Sequence, residues 1–397
     1  MKLACVIHRF GADIAGGSEG HCRLIAEHLA ASHDVSIVTT TAHDHVTWAN
    51  HFDAGQSQIG PLTVFRFPVE RPRDLHRFRD ISDHVFADRA SPEEQEQWFR
   101  ENGPYAPALL DFLRQRAHEF DLVLFWSFRY YDAFFGLPLA ANRAILVPTA
   151  EEDPLIHVDV LRHYFAQPRG YLFLTPEEEA LVGDRVPGAT PRQIIGCGLD
   201  DPAAVDRAIL PRVGIADPYV LYLGRIDPNK GCDRLIRYFI RYMAATGTRV
   251  QLVLAGPANM PVPDHPSITR LGFVDDATRD ALLAGARALI MPSPYESLSM
   301  VLLEAWNHRT PALVNARCAV LKGQVLRADG GLYYQSSMEF AGALDYLLTH
   351  RDEASHLGAQ GRAYVDREYR WPTVLAKIET LFQDVAGSLP RTQPPRA

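Results

Sequence analysis

The sequence predicts an α/β protein built from two doubly wound parallel sheets in tandem. Short apolar runs recur with helical stretches between them, the pattern of parallel strands covered by helices on both faces. A stretch rich in Pro, Asp and Gly, GCGLDDPAAVDRAILPRVGIADP, separates one series of such runs from a second. The chain has 397 residues, and at about 150 residues per domain that length predicts two domains.

In the first series the runs fall near 2–9, 34–40, 62–67, 121–127, 143–149, 170–174 and 192–197. In the second they fall near 219–224, 250–255, 268–273, 287–292, 311–315 and 331–334. The expected division is a first domain over 1–199, a hinge over 200–217 and a second domain over 218–371. A C-terminal helix over 372–388 would pack back on the first domain, and 389–397 would be a disordered tail. The clearest helix follows Gly231, because Cys232, Leu235, Ile236, Phe239, Ile240 and Met243 recur at helical spacing. In open sheets of this kind ligands sit at the carboxyl ends of the strands, so function is sought in the strand-to-helix loops.

Composition narrows the partners. Hydrophobic residues make up 47% and charged residues 22%, with 40 Lys plus Arg against 48 Asp plus Glu for a net charge of −8. A general basic surface for nucleic acid is therefore not expected. The five cysteines are far apart and show no C-x-x-C spacing, so they read as buried thiols in a reducing compartment. No apolar run approaches the roughly 18 residues of a membrane span, and the first residues are too short in their apolar part for a signal peptide. A cytoplasmic protein is expected.

Three segments carry candidate chemistry. After the first strand, GADIAGGSEGH has Gly11, Gly16, Gly17 and Ser18, but it lacks the Lys of a P-loop and the spacing of a dinucleotide loop. Its glycines would let the backbone approach a ligand, and Ser18 would cap a helix with apolar face Cys22, Ile25 and Leu29. A tight turn serving packing alone is the plainer alternative. The second domain opens with YLGRIDPNKGCDRL, which places Arg225 and Lys230 just before a helix N-terminus, a combination suited to a diphosphate.

The third segment is MPSPYESLSMVLLEAWNH, with Glu296 at a strand end and Glu304 inside an apolar helix expected to begin near Leu298. Eight positions along a helix amount to about 12 Å of rise, so the two carboxylates reach different places on an elongated ligand. A carboxylate at 304 needs donors if it is buried, and either sugar hydroxyls or a structural Arg would serve.

These residues resemble the nucleotide-sugar-dependent retaining glycosyltransferases of family 4, which have the GT-B fold of two Rossmann-like domains facing across a cleft and are related to the glycogen-synthase-like group 1 enzymes. The resemblance runs from the Gly16–Gly17 loop through IIGCGLD to YLGRIDPNKG and the two glutamates. It implies transfer of a hexosyl group from a nucleotide-sugar donor, as in polysaccharide biosynthesis, to a glycan, lipid-linked or small-molecule acceptor. Arg225, Lys230 and Glu296 would be catalytic. Gly16, Gly17, Val274, Ser297, Leu298, Ser299 and Glu304 would join the two cations in holding the donor, with Glu304 on the ribose. No D-x-D occurs in the chain, so no metal or other cofactor is expected. A non-catalytic nucleotide-sugar-binding protein of the same fold is the alternative.

Two departures stand out. Ser297 and Ser299 occupy positions where the family often has glycine, and FWSFRYYDAF replaces a segment that often carries histidine, so no catalytic base is assigned. Arg129, Tyr130, Glu151 and Asp153 are the candidate acceptor contacts, a solvated turn being the alternative for the last two. His43-Asp44-His45 reads as a polar loop rather than a metal site. RPRDLHRFRD carries Arg71, Arg73, Arg77 and Arg79 beside Phe78, which would form a solvated basic face or else touch anionic headgroups at the inner membrane or an anionic acceptor.

Overall fold

The computed structural model describes residues 1–14, 16–215 and 218–387. Residues 216–217 of the expected hinge and the expected tail 389–397 lie outside them. The described residues divide into two compact units, one formed by Met1–Gly198 together with Val374–Gly387, the other by Leu199–Thr373.

In the first unit, β1 (Lys2–Val6), β2 (Asp34–Thr40), β3 (Gly55–Ile59), β4 (Leu62–Phe67), β5 (Leu122–Trp126), β6 (Ala144–Val147), β7 (Gly170–Phe173) and β8 (Arg192–Ile194) form one sheet. Their order is β3-β4-β2-β1-β5-β6-β7-β8. The neighbouring pairs run parallel except β3 with β4. The central strands are buried along their whole length, which is why they read as continuous apolar runs.

Two expectations need correction here. The first strand, expected over 2–9, ends at Val6, so His8 and Arg9 belong to the loop. The sequence GQSQI was not expected to be a strand, yet it pairs along the sheet edge as β3 with its first four residues exposed. From Val374 the helix Trp371–Gly387 belongs to the first unit. A Cβ at Gly170 in β7 would stand 2.7 Å from its Val385, and its Glu379 bonds His33 Nε2 at 2.6 Å.

The second unit contains β9 (Tyr219–Leu223), β10 (Gln251–Ala255), β11 (Ile268–Gly272), β12 (Leu289–Met291), β13 (Ala312–Asn315) and β14 (Gly331–Tyr334). They lie parallel in the order β11-β10-β9-β12-β13-β14. The helix Cys232–Thr246 buries Cys232, Leu235, Ile236, Phe239 and Tyr242 against this sheet. Burial of each such side chain stabilises by about 1.5 to 3 kcal/mol.

In each sheet the strand order reverses once, between β1 and β5 in the first unit and between β9 and β12 in the second. At such a reversal the two flanking loops diverge and leave a crevice at the carboxyl ends of the strands. The loops after β1, β5, β9 and β12 are therefore where each unit can hold a ligand.

Candidate functional site

In the second unit both loops at the strand reversal carry expected site residues. The loop after β9 presents Arg225, whose side chain is exposed, and its carbonyl accepts from the buried Tyr222 hydroxyl at 2.5 Å. Asp227 caps the turn Pro228–Lys230. Gly231 follows with φ +75°, and a Cβ there would stand 2.4 Å from the Pro292 carbonyl oxygen. Only glycine lets the β9 loop press this closely on the β12 loop. Asn315 holds the β12 loop from the other side, its Nδ2 donating to the Pro292 and Ser293 carbonyls at 3.1 and 3.4 Å.

That close approach brings Lys230 to Glu296, Nζ to Oε1 at 2.9 Å, with both side chains largely buried. The sequence assigned these two residues to separate parts of a ligand, whereas the fold pairs them. The helix expected from Leu298 starts instead at Met300, because Ser299 takes the left-handed conformation (φ +76°) and caps it, accepting from Leu302 N at 3.4 Å. Leu298 is buried and Ser297 half-buried. Val274 stands apart from this cluster in sequence and topology, in the loop after the edge strand β11, beside Phe273, which is 81% exposed.

Glu304 lies on the helix Met300–Asn307, flanked by the buried Leu302, Leu303, Ala305 and Trp306. Burial raises its carboxyl above the ordinary range; the Arg279 guanidinium opposes the shift, and Asp280 and Asp276 add to it. Among the described residues its side chain has no hydrogen-bond partner. Arg279 itself bonds Asp276 and Asp280. The chain thus supplies a nearby positive charge but leaves the oxygens of Glu304 able to accept from a ligand.

The corresponding loops of the first unit show what the sequence did not reveal. Ser18 does not cap the helix Gly17–Leu29: Gly16 is the N-cap, without a side-chain bond, and the Ser18 hydroxyl donates to Glu19 Oε2 at 2.9 Å. Glu19 Oε1 meets His8 Nε2 at 3.0 Å and accepts from Arg9 Nη2. Burial alone would raise the Glu19 carboxyl, but His8 and Arg9 hold it well below the usual range. None of His8, Arg9 and Glu19 was singled out in the sequence; the only local signal was an acidic residue directly after Gly-Gly-Ser.

Tyr130, after β5, lies against the His8 ring, centroids 3.7 Å apart, while Arg129 is ion-paired with Asp153 from the loop after β6. Glu151 is half-buried two residues away. That loop is fixed by the buried Glu178, which accepts from Ala150 N and Leu174 N, each at 2.6 Å. Of the expected acceptor residues, the fold joins Arg129 to Asp153 and sends Tyr130 to His8.

The weaker signals resolve structurally. Arg71 and Arg77 both pair with Glu101, and Arg73 bonds Asn102 while covering the Trp48 and Phe78 rings. Three of the four arginines are thus tied to the fold rather than forming a free basic face. His43 meets Asp13 at 3.3 Å, and the Asp44 carboxylate folds back on the Val46, Thr47 and Ala49 amides. All five cysteines are free and buried. No described helix is long and apolar enough to cross a membrane.

The protein family described as "Glycosyl transferases group 1" matches residues 217–350. Glycogen synthase of Thermus thermophilus is 23% identical over 198 residues, 47% of this chain and 44% of that protein. The chain therefore spans about half the length of the curated relatives it matches. Among solved structures, the sucrose-phosphate synthase of Thermosynechococcus elongatus superposes with TM-score 0.72 at 19% identity, covering 98% of this chain and 100% of that one. Anabaena HepE, solved with UDP and glucose, gives TM-score 0.69 at 15% identity, covering 97% and 100%. With its two parallel α/β units the chain has the GT-B fold of these structures, and residues 217–350 carry the segment that matches the group 1 glycosyltransferases.

Proposed function

We propose that the protein is a retaining, metal-independent glycosyltransferase that moves a hexosyl group from a nucleotide-diphosphate donor to a glycan, lipid-linked or small-molecule acceptor. The observation that carries this reading is the convergence at the strand reversal of the second unit. Arg225 and the Lys230–Glu296 pair stand there, and Glu304 follows on the next helix with open acceptor oxygens. The binding of UDP and glucose by Anabaena HepE adds support from a relative in fold.

In this reading Arg225 and Lys230 face the diphosphate and Glu304 takes the ribose hydroxyls. Glu296 stands beside the donor sugar, and in the ligand-free protein it keeps the Lys230 ammonium in place. As the glycosidic C–O bond to phosphate breaks, negative charge grows on the leaving diphosphate, and fixed cations stabilise that state more than the ground state. The acceptor oxygen forms its new bond on the face the phosphate leaves, and its proton passes to a phosphate oxygen. Arg129, Tyr130, Glu151 and Asp153 of the first unit serve the acceptor, and the Gly16–Gly17 amides serve the donor phosphate.

A thermal-shift screen against uridine, guanosine, adenosine and thymidine diphosphates tests the reading, because a ligand bound only to the folded state raises stability by RT ln(1 + [L]/Kd). One diphosphate should raise Tm, and its sugar conjugates should be hydrolysed slowly without acceptor. Binding without hydrolysis or transfer would favour a non-catalytic binding protein; absence of any shift would reject the donor site.

A further inference from the structure

Glu19 has no part in the transfer as described, yet its side chain is only 7% exposed and meets three donors. These contacts join the two ends of the loop between β1 and the helix Gly17–Leu29. His8 and Arg9 lie at the strand exit, Glu19 in the first helical turn. The same Arg9 reaches the loop after β2, Nη1 donating to the His43 carbonyl at 2.6 Å, and Thr40 donates to the His8 carbonyl at 2.6 Å. One carboxylate therefore connects two strand exits to a helix entry.

The adjacent glycines differ in a way that points to what this connection holds. A Cβ on Gly16 would stand 2.1 Å from Glu19 Oε2 and 2.5 Å from its carboxyl carbon, whereas a Cβ on Gly17 would meet nothing within 4 Å. The Gly16 backbone is extended, φ −177°, a conformation open to any residue, so the requirement for glycine there is the carboxylate itself. Glu19 packs one side of the turn and leaves the other open.

We propose that Glu19 is a positioning residue for the Gly16–Gly17 turn: anchored by His8 and Arg9, its carboxylate packs against Gly16 and fixes the direction of the amides the turn presents. The proposal rests on the transfer reaction above for its kinetic consequence, but not for its structural one. A displacement of about 1 Å in a positioned group can cost about a hundredfold in rate.

The test uses the full chain as wild type, Glu19→Ala, Glu19→Gln, Gly16→Ala and the Glu19→Ala/Gly16→Ala double variant, with initial rates on the nucleotide sugar chosen by the diphosphate screen. Glu19→Ala and Gly16→Ala should each lower kcat about tenfold to a hundredfold. The double variant should be no worse than the poorer single, since both changes break one contact. Glu19→Gln should stay near wild type, because its oxygen still accepts from His8 and Arg9 and its nitrogen can donate to Ser18.

Hydrogen exchange at residues 17–20 reads the turn independently of turnover, and Gly16→Ala, which leaves every charged group in place, should speed it at least tenfold. Additive losses in the double variant, or a Glu19→Gln enzyme as slow as Glu19→Ala, would overturn the proposal. Unchanged exchange in Gly16→Ala would overturn it as well. If the protein turns over no donor, the exchange result still decides the role of Glu19, so failure of the transfer reading is seen separately.

Discussion

Glu19 and Glu304 occupy comparable places in the two units, each on the helix that follows a strand at the reversal of its sheet. Their surroundings are opposite. Glu19 is met by His8, Arg9 and Ser18 and stays ionised well below the usual range. Glu304 is raised by burial, opposed by Arg279, and its side chain has no hydrogen bond among the described residues. A buried carboxylate that finds all its donors within the chain serves as scaffold. One left short of donors carries a desolvation cost that ligand hydroxyls can offset. The first unit thus spends its buried charge on holding a loop, and the second keeps its charge for a ligand.

That contrast is open to direct perturbation. The largest effect is expected at Lys230: Lys230→Ala should lower kcat about 10²- to 10³-fold, the scale for removing a group that meets charge developing in the transition state. A wild-type kcat in steady-state assays would break the second half of the comparison.

Next is Asp132 in the first unit, fully buried with neither carboxylate oxygen partnered. Burial raises it from 3.8 to about 6, so the native state holds a proton that the unfolded chain releases. The stability this gives is complete below about pH 4 and lost as pH rises through about 6. Asp132→Asn should therefore stabilise the protein increasingly over that window, levelling off near about 3 kcal/mol above it. Urea midpoints at pH 5 and pH 8 measure it, and equal stability at pH 8 would show that Asp132 finds a partner in solution.

A smaller effect is expected at Glu296. Glu296→Ala should leave nucleoside diphosphate affinity within about twofold, since Lys230 keeps its charge, while slowing transfer by about tenfold or more. Parallel calorimetry and rate assays distinguish this from a nucleotide-side role. The smallest change is expected from chelation: excess EDTA should leave the rate unaltered. Loss of turnover that manganese or magnesium restores would replace the paired cations with a metal.

Much of the fold was legible because buried parallel strands are continuous apolar runs, as LVLFW and YVLYL show. β3 was not, since GQSQI is an exposed polar edge strand with no apolar signal. Arg225, Lys230, Glu296 and Glu304 stood out as charged residues in loops or an apolar helix. Their pairing did not, because Lys230 and Glu296 lie far apart in sequence and meet only where Gly231 lets one loop press on another. The His8–Arg9–Glu19 cluster was hidden for a related reason. A strand ending at Val6 rather than residue 9 converts two strand residues into loop residues, and Ser18 looked like the cap that Gly16 provides. Arg71 and Arg77 read as surface charge because Glu101, their partner on the helix Pro92–Asn102, lies far from them in sequence.

The measurement that tests the account most directly is calorimetric affinity for the nucleoside diphosphate selected by the screen, on wild type, Glu304→Ala and Glu19→Ala. Removing a charged hydrogen-bond partner costs about 1.5 to 3 kcal/mol, or roughly ten- to a hundredfold. Glu304→Ala should weaken binding by that factor, and Glu19→Ala should remain well above it in affinity. An unchanged Kd in Glu304→Ala, or an equal loss in both variants, would contradict the assignment of the ligand to the carboxylate that the second unit leaves unpaired.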